Sequence, residues 1–304
     1  MTASRALRQS VPWHRTRRGI LRIVLTAVAI FFAVLFLMPT VLTITNSFMS
    51  QAEISANYGV VFGSAQDGTY MSERVNLKIL PDMVTFAQYE TVLFRSPEYL
   101  MQFWISIGLV VPIVLVQVFV AALAAYGFTR VRSKRREVLF FTYIVLMLMP
   151  YQVTLVPNYL VARWMGTIDR YWSIFLPGFF APFSVFLLTK FMRRIPKEYI
   201  EAAKLDGAGE WQIFTRICLP ICRGALYSVM ILVFIDYWNM VELPLIMLQD
   251  SNMHPLSVFL SRINEAEIGI AFALAAVYMI PALLLFLHGE EHLVEGIAYS
   301  GGIK

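Results

Sequence analysis

The sequence predicts an all-α, polytopic membrane protein with six transmembrane helices, and three observations carry that prediction. Of the 304 residues, 58% are hydrophobic and only 15% are charged, a balance beyond what a water-soluble core requires. The apolar residues fall in segments that are apolar all round, with no polar face to return to water. Six of these segments reach the ~20 residues that cross a bilayer. No shift in composition marks a separate soluble domain. Residues 20–304 are therefore expected to form one transmembrane domain behind a basic tail, residues 1–19.

The first span is placed near 20–45. It is too long for a signal peptide and lacks a small-residue cleavage site, so it is expected to be retained. The next lie near 103–127, 138–161, 171–190, 225–247 and 268–287, separated by connections rich in Gly, Pro or charge. The segment 47–99 is more than a turn. It holds NYGVVFGSAQDGTY and LPDMVTFAQYETVLF, and its aromatic content argues against disorder, so a small cap of packed short helices is expected. Residues 191–223 form a charged loop between spans, and 288–304 a tail.

Lys and Arg orient the chain. If the N-terminus is cytoplasmic, nineteen basic residues face inward: Arg5, Arg8, Arg15, Arg17, Arg18 and Arg22; Arg130, Arg132, Lys134, Arg135 and Arg136; Lys190, Arg193, Arg194, Lys197, Lys204, Arg216 and Arg223; and Lys304. Arg74, Lys78, Arg95, Arg163, Arg170 and Arg262 face outward. The positive-inside rule then places both termini in the cytoplasm. The net charge of +5 is spread over every inner loop and makes no nucleic-acid surface. Cys218 and Cys222 fall on the reducing side. Without a further Cys or His nearby they make no zinc site and read as small apolar helix residues.

The loop 191–223 reads as helix–turn–helix. Pro196 suits a first helical turn, and Glu198 complements its dipole. The helix should run through Leu205 and stop at Asp206–Gly207, where glycine can take the left-handed conformation. A second helix should reach about Cys218, with Pro220 starting the next element. Ala202 and Ala203 give a face of low relief that another protein could approach closely. The alternative is an amphipathic helix resting on lipid headgroups.

The residues themselves add to this. Glu201-Ala202-Ala203, Asp206-Gly207-Ala208, Ile217 and Leu219-Pro220 resemble the EAA motif of ABC importer permeases, and more narrowly the carbohydrate-uptake family typified by the maltose permease. AAYGFTR (124–130), MPYQVTLVPNYL, FLLTKFMRRIPKEYIEAAKLDGAG, YWNMVELPLIML, Pro281 and the closing VEGIAYSGGIK are similar to successive parts of that family, so the likeness covers most of the chain. Arg223-Gly224 stand where the family often has Pro, and Ile105-Ser106 where Asn commonly precedes Ser.

The resemblance implies that 191–223 holds a coupling helix seated in a cleft of a cytoplasmic ATPase. The coupling residues it implies are Glu201, Ala202, Ala203, Asp206, Gly207, Leu219 and Pro220. Glu201 would meet a basic group, and Gly207 would permit the turn. It further implies an ATPase dimer, a second homologous permease, an extracytoplasmic solute-binding protein, a sugar or oligosaccharide cargo, and a bacterial cytoplasmic membrane. The chain has no G-x-x-x-x-G-K-[ST] loop, so ATP and Mg are expected on the partner ATPase, with no cofactor here. The SGG at 300–302 is a short match in a tail.

In the fifth span, Asp236, Trp238, Asn239 and Glu242 are candidates for the substrate pathway, since ionisable residues at membrane depth are costly. Asn239 shares a helical face with both Asp236 and Glu242. Amide, carboxylate and indole suit sugar hydroxyls and rings. An interhelical polar contact is the alternative, and Trp238 could instead face lipid or a neighbouring helix. Pro150, Pro177, Pro182 and Pro281 sit in or beside spans as kinks. His288-Gly289-Glu290-Glu291-His292 fits H-x-x-E-H, but its third ligand could only be Glu295, with Glu265 and Glu267 across the membrane. A polar helix end is the expected reading, and no metal is expected. A secondary transporter coupled through Asp236 or Glu242, or a membrane metallopeptidase, are the rival readings.

Overall fold

Proline decides where several of the apolar segments bend, and the bends determine which residues meet. The computed structural model describes residues 13–62, 76–131, 133–262 and 268–300, with backbone alone at 13–20, 59–62 and 290–300. All regular elements among the described residues are helical. They are α1 (Trp13–Asn46), α2 (Gln51–Phe62), α3 (Ala87–Glu90), α4 (Pro97–Arg130), α5 (Lys134–Met147), α6 (Tyr151–Trp164), α7 (Trp172–Gly178) and α8 (Pro182–Met192). Then come α9 (Lys197–Leu205), α10 (Glu210–Ile213), α11 (Leu219–Ile221), α12 (Arg223–Trp238), α13 (Glu242–Met247), α14 (Leu256–Leu260) and α15 (Ile268–Ser300).

Among the described residues four helical stretches are long and apolar enough to cross a membrane: Leu21–Asn46, Pro97–Arg130, Trp172–Met192 and Ile268–Gly289. Counting two bent pairs as spans raises the number to six. The expected third span is one of these pairs: α5 and α6 meet at 104°. Pro150 has no N–H to give Leu146, whose carbonyl takes the Met149 N–H at 3.2 Å instead, and the helix turns there. The expected fifth span also departs from a single helix. α12 ends at Trp238, α13 begins at Glu242, and α12 meets the Glu210–Ile221 leg at 77°.

The described residues up to Thr85 form one compact unit. In it, α1 carries its apolar residues unburied along the window that qualifies it as a span. α2 is pinned by polar contacts. Glu53 accepts the Asp82 N–H at 2.7 Å and pairs with Lys78 at 3.1 Å. Asn76 donates from its backbone to Asn57 O at 3.0 Å and from Nδ2 to Asn57 Oδ1 at 3.2 Å. Of the expected cap, residues 63–75 lie outside the described residues.

The described residues from Phe86 onward form the second unit. Its axis is α4, about 51 Å long at 1.5 Å per residue. α4 buries Ser106, Leu109, Val110, Ile113, Val114, Gln117, Val118, Ala121, Ala122 and Ala125, one stripe at helical spacing. This stripe packs mainly on α8 and α12, while α15 closes on α12. Gln117 Nε2 donates to Ser184 Oγ at 2.9 Å inside the α4–α8 seam. Ser106 Oγ accepts the Leu256 N–H at 2.9 Å, so α4 caps the start of α14. Cys218 and Cys222 are buried free thiols, in line with a packing role.

Asp169 is a non-glycine residue at φ 60°, a conformation that Asp tolerates better than most side chains. Its carboxylate accepts the N–H groups of Gln249 (2.8 Å) and Asp250 (3.2 Å), and its own N–H donates to Met247 O at 2.9 Å. It thus ties the loop after α6 to the loop after α13. Asp169→Ala should cost about 1 kcal/mol, because water reaches these exposed donors, and Asp169→Asn should cost less. Thermal unfolding of the two variants in detergent checks the order.

Candidate functional site

Two places combine unusual sequence with unusual geometry. The first is the charged loop. α9 ends as the sequence predicts: Gly207 has φ +82°, the Gly207 N–H donates to Lys204 O at 3.1 Å and the Ala208 N–H to Ala203 O at 2.9 Å. This pair of bonds satisfies the last carbonyls of the helix. Ile200 is 4% exposed, and Ala203 and Ala208 pack against the main core, so one face of α9 is anchored. The opposite face presents Glu198, Glu201, Ala202 and Leu205, all exposed, at the spacing of one helical side. Leu205 is 89% and Trp211 60% exposed. Asp206 and Gly207 lie on the exposed turn.

The second leg reaches Cys218 as expected, running from Glu210 by way of a π turn at Phe214–Cys218, and Pro220 stands at the opening of the next element, α11. Pro220 falls at the N1/N2 position of α11, where the missing N–H leaves no helical bond unmade. Leu219 packs on the core and Pro220 is exposed.

A polar clasp joins this loop to the end of α4. The Tyr126 hydroxyl donates to the Glu210 carboxylate, Lys204 pairs with Glu210 at 2.5 Å, and the Tyr126 ring lies 5.2 Å from Phe214. Arg130 lies over the Tyr126 ring at 5.3 Å and reaches Cys218 Sγ at 3.7 Å. The sequence carries no signal for a pairing of residues 84 apart. Hydrogen bonds from Lys204, then from Tyr126, hold the Glu210 carboxyl below its ordinary value of 4.5. A lowered pKa contributes stability that is present above about pH 4.5 and lost as pH falls through the lowered value. Both ends of the Lys204–Glu210 pair are half exposed, so that contribution is small. Glu210→Gln should therefore lower the unfolding midpoint slightly at pH 7. The difference from the wild type should shrink as pH falls below 4.5 and through the lowered value, which a pH series of melting curves measures.

The second place is a cavity of about 1110 Å³. Three helix interruptions border it: 148–150 between α5 and α6, 179–181 between α7 and α8, and 239–241 between α12 and α13. Helix breaks at membrane depth are tolerated where they line a cavity. Its polar lining is Tyr151, Thr154, Asn158, Asp236, Tyr237, Asn239 and Glu242. Asp236, Asn239 and Glu242 are thus brought together, although not on one helix. Asn239 caps the end of α12, with Nδ2 donating to Ile235 O at 2.8 Å, and Glu242 opens α13. Tyr151, Thr154 and Asn158 escape sequence reasoning because Pro150 hides which face of α6 turns inward.

Trp238 is a correction. It does not line the cavity and is 2% exposed. Its ring stacks with those of Phe234 (5.2 Å) and Tyr278 (4.9 Å). Nε1 donates to Tyr278 O at 3.1 Å, and the Tyr278 hydroxyl returns a bond to the Trp238 carbonyl. α12 turns the indole toward α15, away from the cavity.

At the H-x-x-E-H stretch, His288 is exposed and Gly289 is buried. A Cβ on Gly289 would meet Ile231 Cδ1 at 2.4 Å, so the glycine serves a close crossing of α15 and α12. The side chains of Glu290, Glu291, His292 and Glu295, the segment with Glu265 and Glu267, and Gly301–Gly302 lie outside the described residues. No group of metal-ligating side chains occurs among the described residues.

Known proteins resemble this chain in the same regions. A family model described as binding-protein-dependent transport system inner membrane component matches residues 117–293, from the α4 core through the cavity to α15. The arabinooligosaccharides transport system permease of Bacillus subtilis (strain 168) is 24% identical over 296 residues, 96% of this chain and 99% of that protein. The lactose transport system permease of Rhizobium radiobacter is 27% identical over 230 residues, 73% of this chain and 84% of that protein. A chain in the crystal structure of a bacterial ABC transporter that imports the acidic polysaccharide alginate shares the fold. Its TM-score is 0.74 at 21% identity, over 95% of this chain and 99% of that one.

Proposed function

This chain belongs to the family of binding-protein-dependent transport system inner membrane components, and from that premise we propose how its two sites divide the work. It is a membrane-spanning permease subunit of an ABC importer and not an enzyme, so the secondary-transporter and metallopeptidase readings fall. The exposed face of α9 docks in a cleft of a cytoplasmic ATPase dimer, which binds the ATP and Mg. Glu198 and Glu201 meet basic groups there, and Ala202 and Leu205 meet apolar ones. Both termini are cytoplasmic, by the bias of Lys and Arg.

The clasp carries this reading. It fixes the loop to the end of α4, and α4 runs on to pack against the helices that border the cavity. A push on α9 is therefore delivered to the cavity walls as a rigid-body motion. A second, homologous permease completes the pathway, and a solute-binding protein docks on the 47–99 segment. The relatives named for arabinooligosaccharides and lactose support a carbohydrate cargo, for which the phenols, amides and carboxylates of the cavity offer hydrogen-bonding groups.

Affinity purification in mild detergent tests the assembly: an ATPase and a second permease should co-purify, and a single subunit that transports without them overturns the reading. The pathway is tested separately. Asn239→Ala should lower transport severalfold with assembly intact, and lost assembly would mark Asn239 as a packing residue.

A further inference from the structure

The cavity wall is mostly apolar, and the charge it carries has one sign. Among the described residues that line it none is Lys, Arg or His, whereas Asp236 and Glu242 both face it. The ion pairs among the described residues involve neither carboxylate. Helix ends do not offset this. The C-termini of α5, α7 and α12 and the N-termini of α6, α8 and α13 all border the cavity, so their opposed partial charges roughly cancel. What remains is the charge of two carboxylates within low-dielectric walls, where a field is focused rather than screened.

We propose that Asp236 and Glu242 make this part of the pathway a charge filter, which passes uncharged and cationic saccharides and turns away polyanionic ones such as uronates or sulfated sugars. The proposal rests on the cavity being the pathway. An ionised carboxylate only accepts hydrogen bonds, which suits the hydroxyl donors of a neutral sugar and the ammonium of an amino sugar. A uronate would bring a like charge with no cation among this chain's described lining residues to meet it, and such juxtaposition discriminates strongly between ligands. Tyr151 and Tyr237 add aromatic surface for sugar rings. Neutral cargo keeps these contacts and loses nothing to repulsion.

Charged thiol reagents test this without knowledge of the cargo. Thr154→Cys is placed in the lining of a chain carrying Cys218→Ala and Cys222→Ala, assembled with its partner subunits in membranes. Its modification rate is measured with a cationic (trimethylammonium-ethyl) and an anionic (sulfonato-ethyl) methanethiosulfonate. Each rate is divided by that of the same reagent with a small free thiol. The cation should react about tenfold faster or more, and Asp236→Asn or Glu242→Gln should each reduce that preference severalfold. A normalised ratio near one, or a preference unchanged by both substitutions, overturns the charge filter and leaves the pathway standing. No reaction with either reagent shows a cavity closed to water and overturns the pathway and the filter together. Both acidic side chains are replaced by isosteric amides, and the assembled complex is recovered before labelling, so a folding defect is seen before any rate is read.

Discussion

Gly207→Val should lower transport by more than about tenfold while the protein still accumulates in the membrane. Gly207 sits at φ +82° with nothing within 4 Å of an added Cβ, so the obstacle is backbone conformation and not space. An L-residue there costs about 1–2 kcal/mol, at the upper end for a β-branched one. The loop relieves that strain by releasing the Gly207 and Ala208 bonds back into α9, and the face carrying Glu201 and Ala202 then tilts. None of this touches a span, so insertion should proceed. The series Gly207→Asn, Gly207→Ala, Gly207→Val should lose activity in that order, because Asn tolerates the left-handed region best. The measurements are transport and binding-protein-stimulated ATP hydrolysis at matched membrane levels. Wild-type rates for the valine variant would show that residues 201–207 do not form the coupling contact.

Trp238→Ala should be the most destabilising single change at the broken fifth span, by about 3–5 kcal/mol. The indole stacks with Phe234 and Tyr278 and meets Phe103 edge-on at 6.0 Å. It also exchanges two hydrogen bonds with Tyr278, so it joins α12 to α15 and α4. In a bilayer such contacts hold helices by packing and hydrogen bonds, since lipid is as apolar as the side chain. Low accumulation and a lower melting midpoint in detergent are expected. Trp238→Phe should lie between, as it keeps the stack and loses the N–H bond. Stability equal to wild type in Trp238→Ala would mean the junction is held elsewhere.

These two residues also show what the sequence makes legible. The left-handed stop at Gly207 is local chemistry: an amphipathic helix, then Asp–Gly, with the apolar residues placed to anchor one side. Span positions depend on length and composition, and most are readable for the same reason. Trp238 is different. Its neighbours Asp236 and Asn239 border a cavity while it faces a core, and that choice depends on where α12 ends. The break at 239–241 depends in turn on how α13 packs, which no residue in YWNMVELPLIML announces. The clasp of Tyr126, Lys204 and Glu210 is invisible in the sequence for a related reason. Each of its members is ordinary alone, and their meeting depends on α4 reaching past the other helices. Pro150 reads as a kink, but a bend of 104° requires the full packing of α5 and α6.

The cavity wall is built from residues with little packing duty, several of them beside helix breaks. Tyr151, Thr154, Asn158, Asp236, Asn239 and Glu242 are all exposed or half exposed, whereas the stripe of α4 and the Trp238 stack hold the bundle together. Substitution at the wall should therefore leave folding nearly untouched. With the cavity as the proposed pathway, such a scaffold can be given a new cargo by altering a handful of wall residues, without first being made more stable. Its evolution from one sugar to another would be short, and a designer could retrace it.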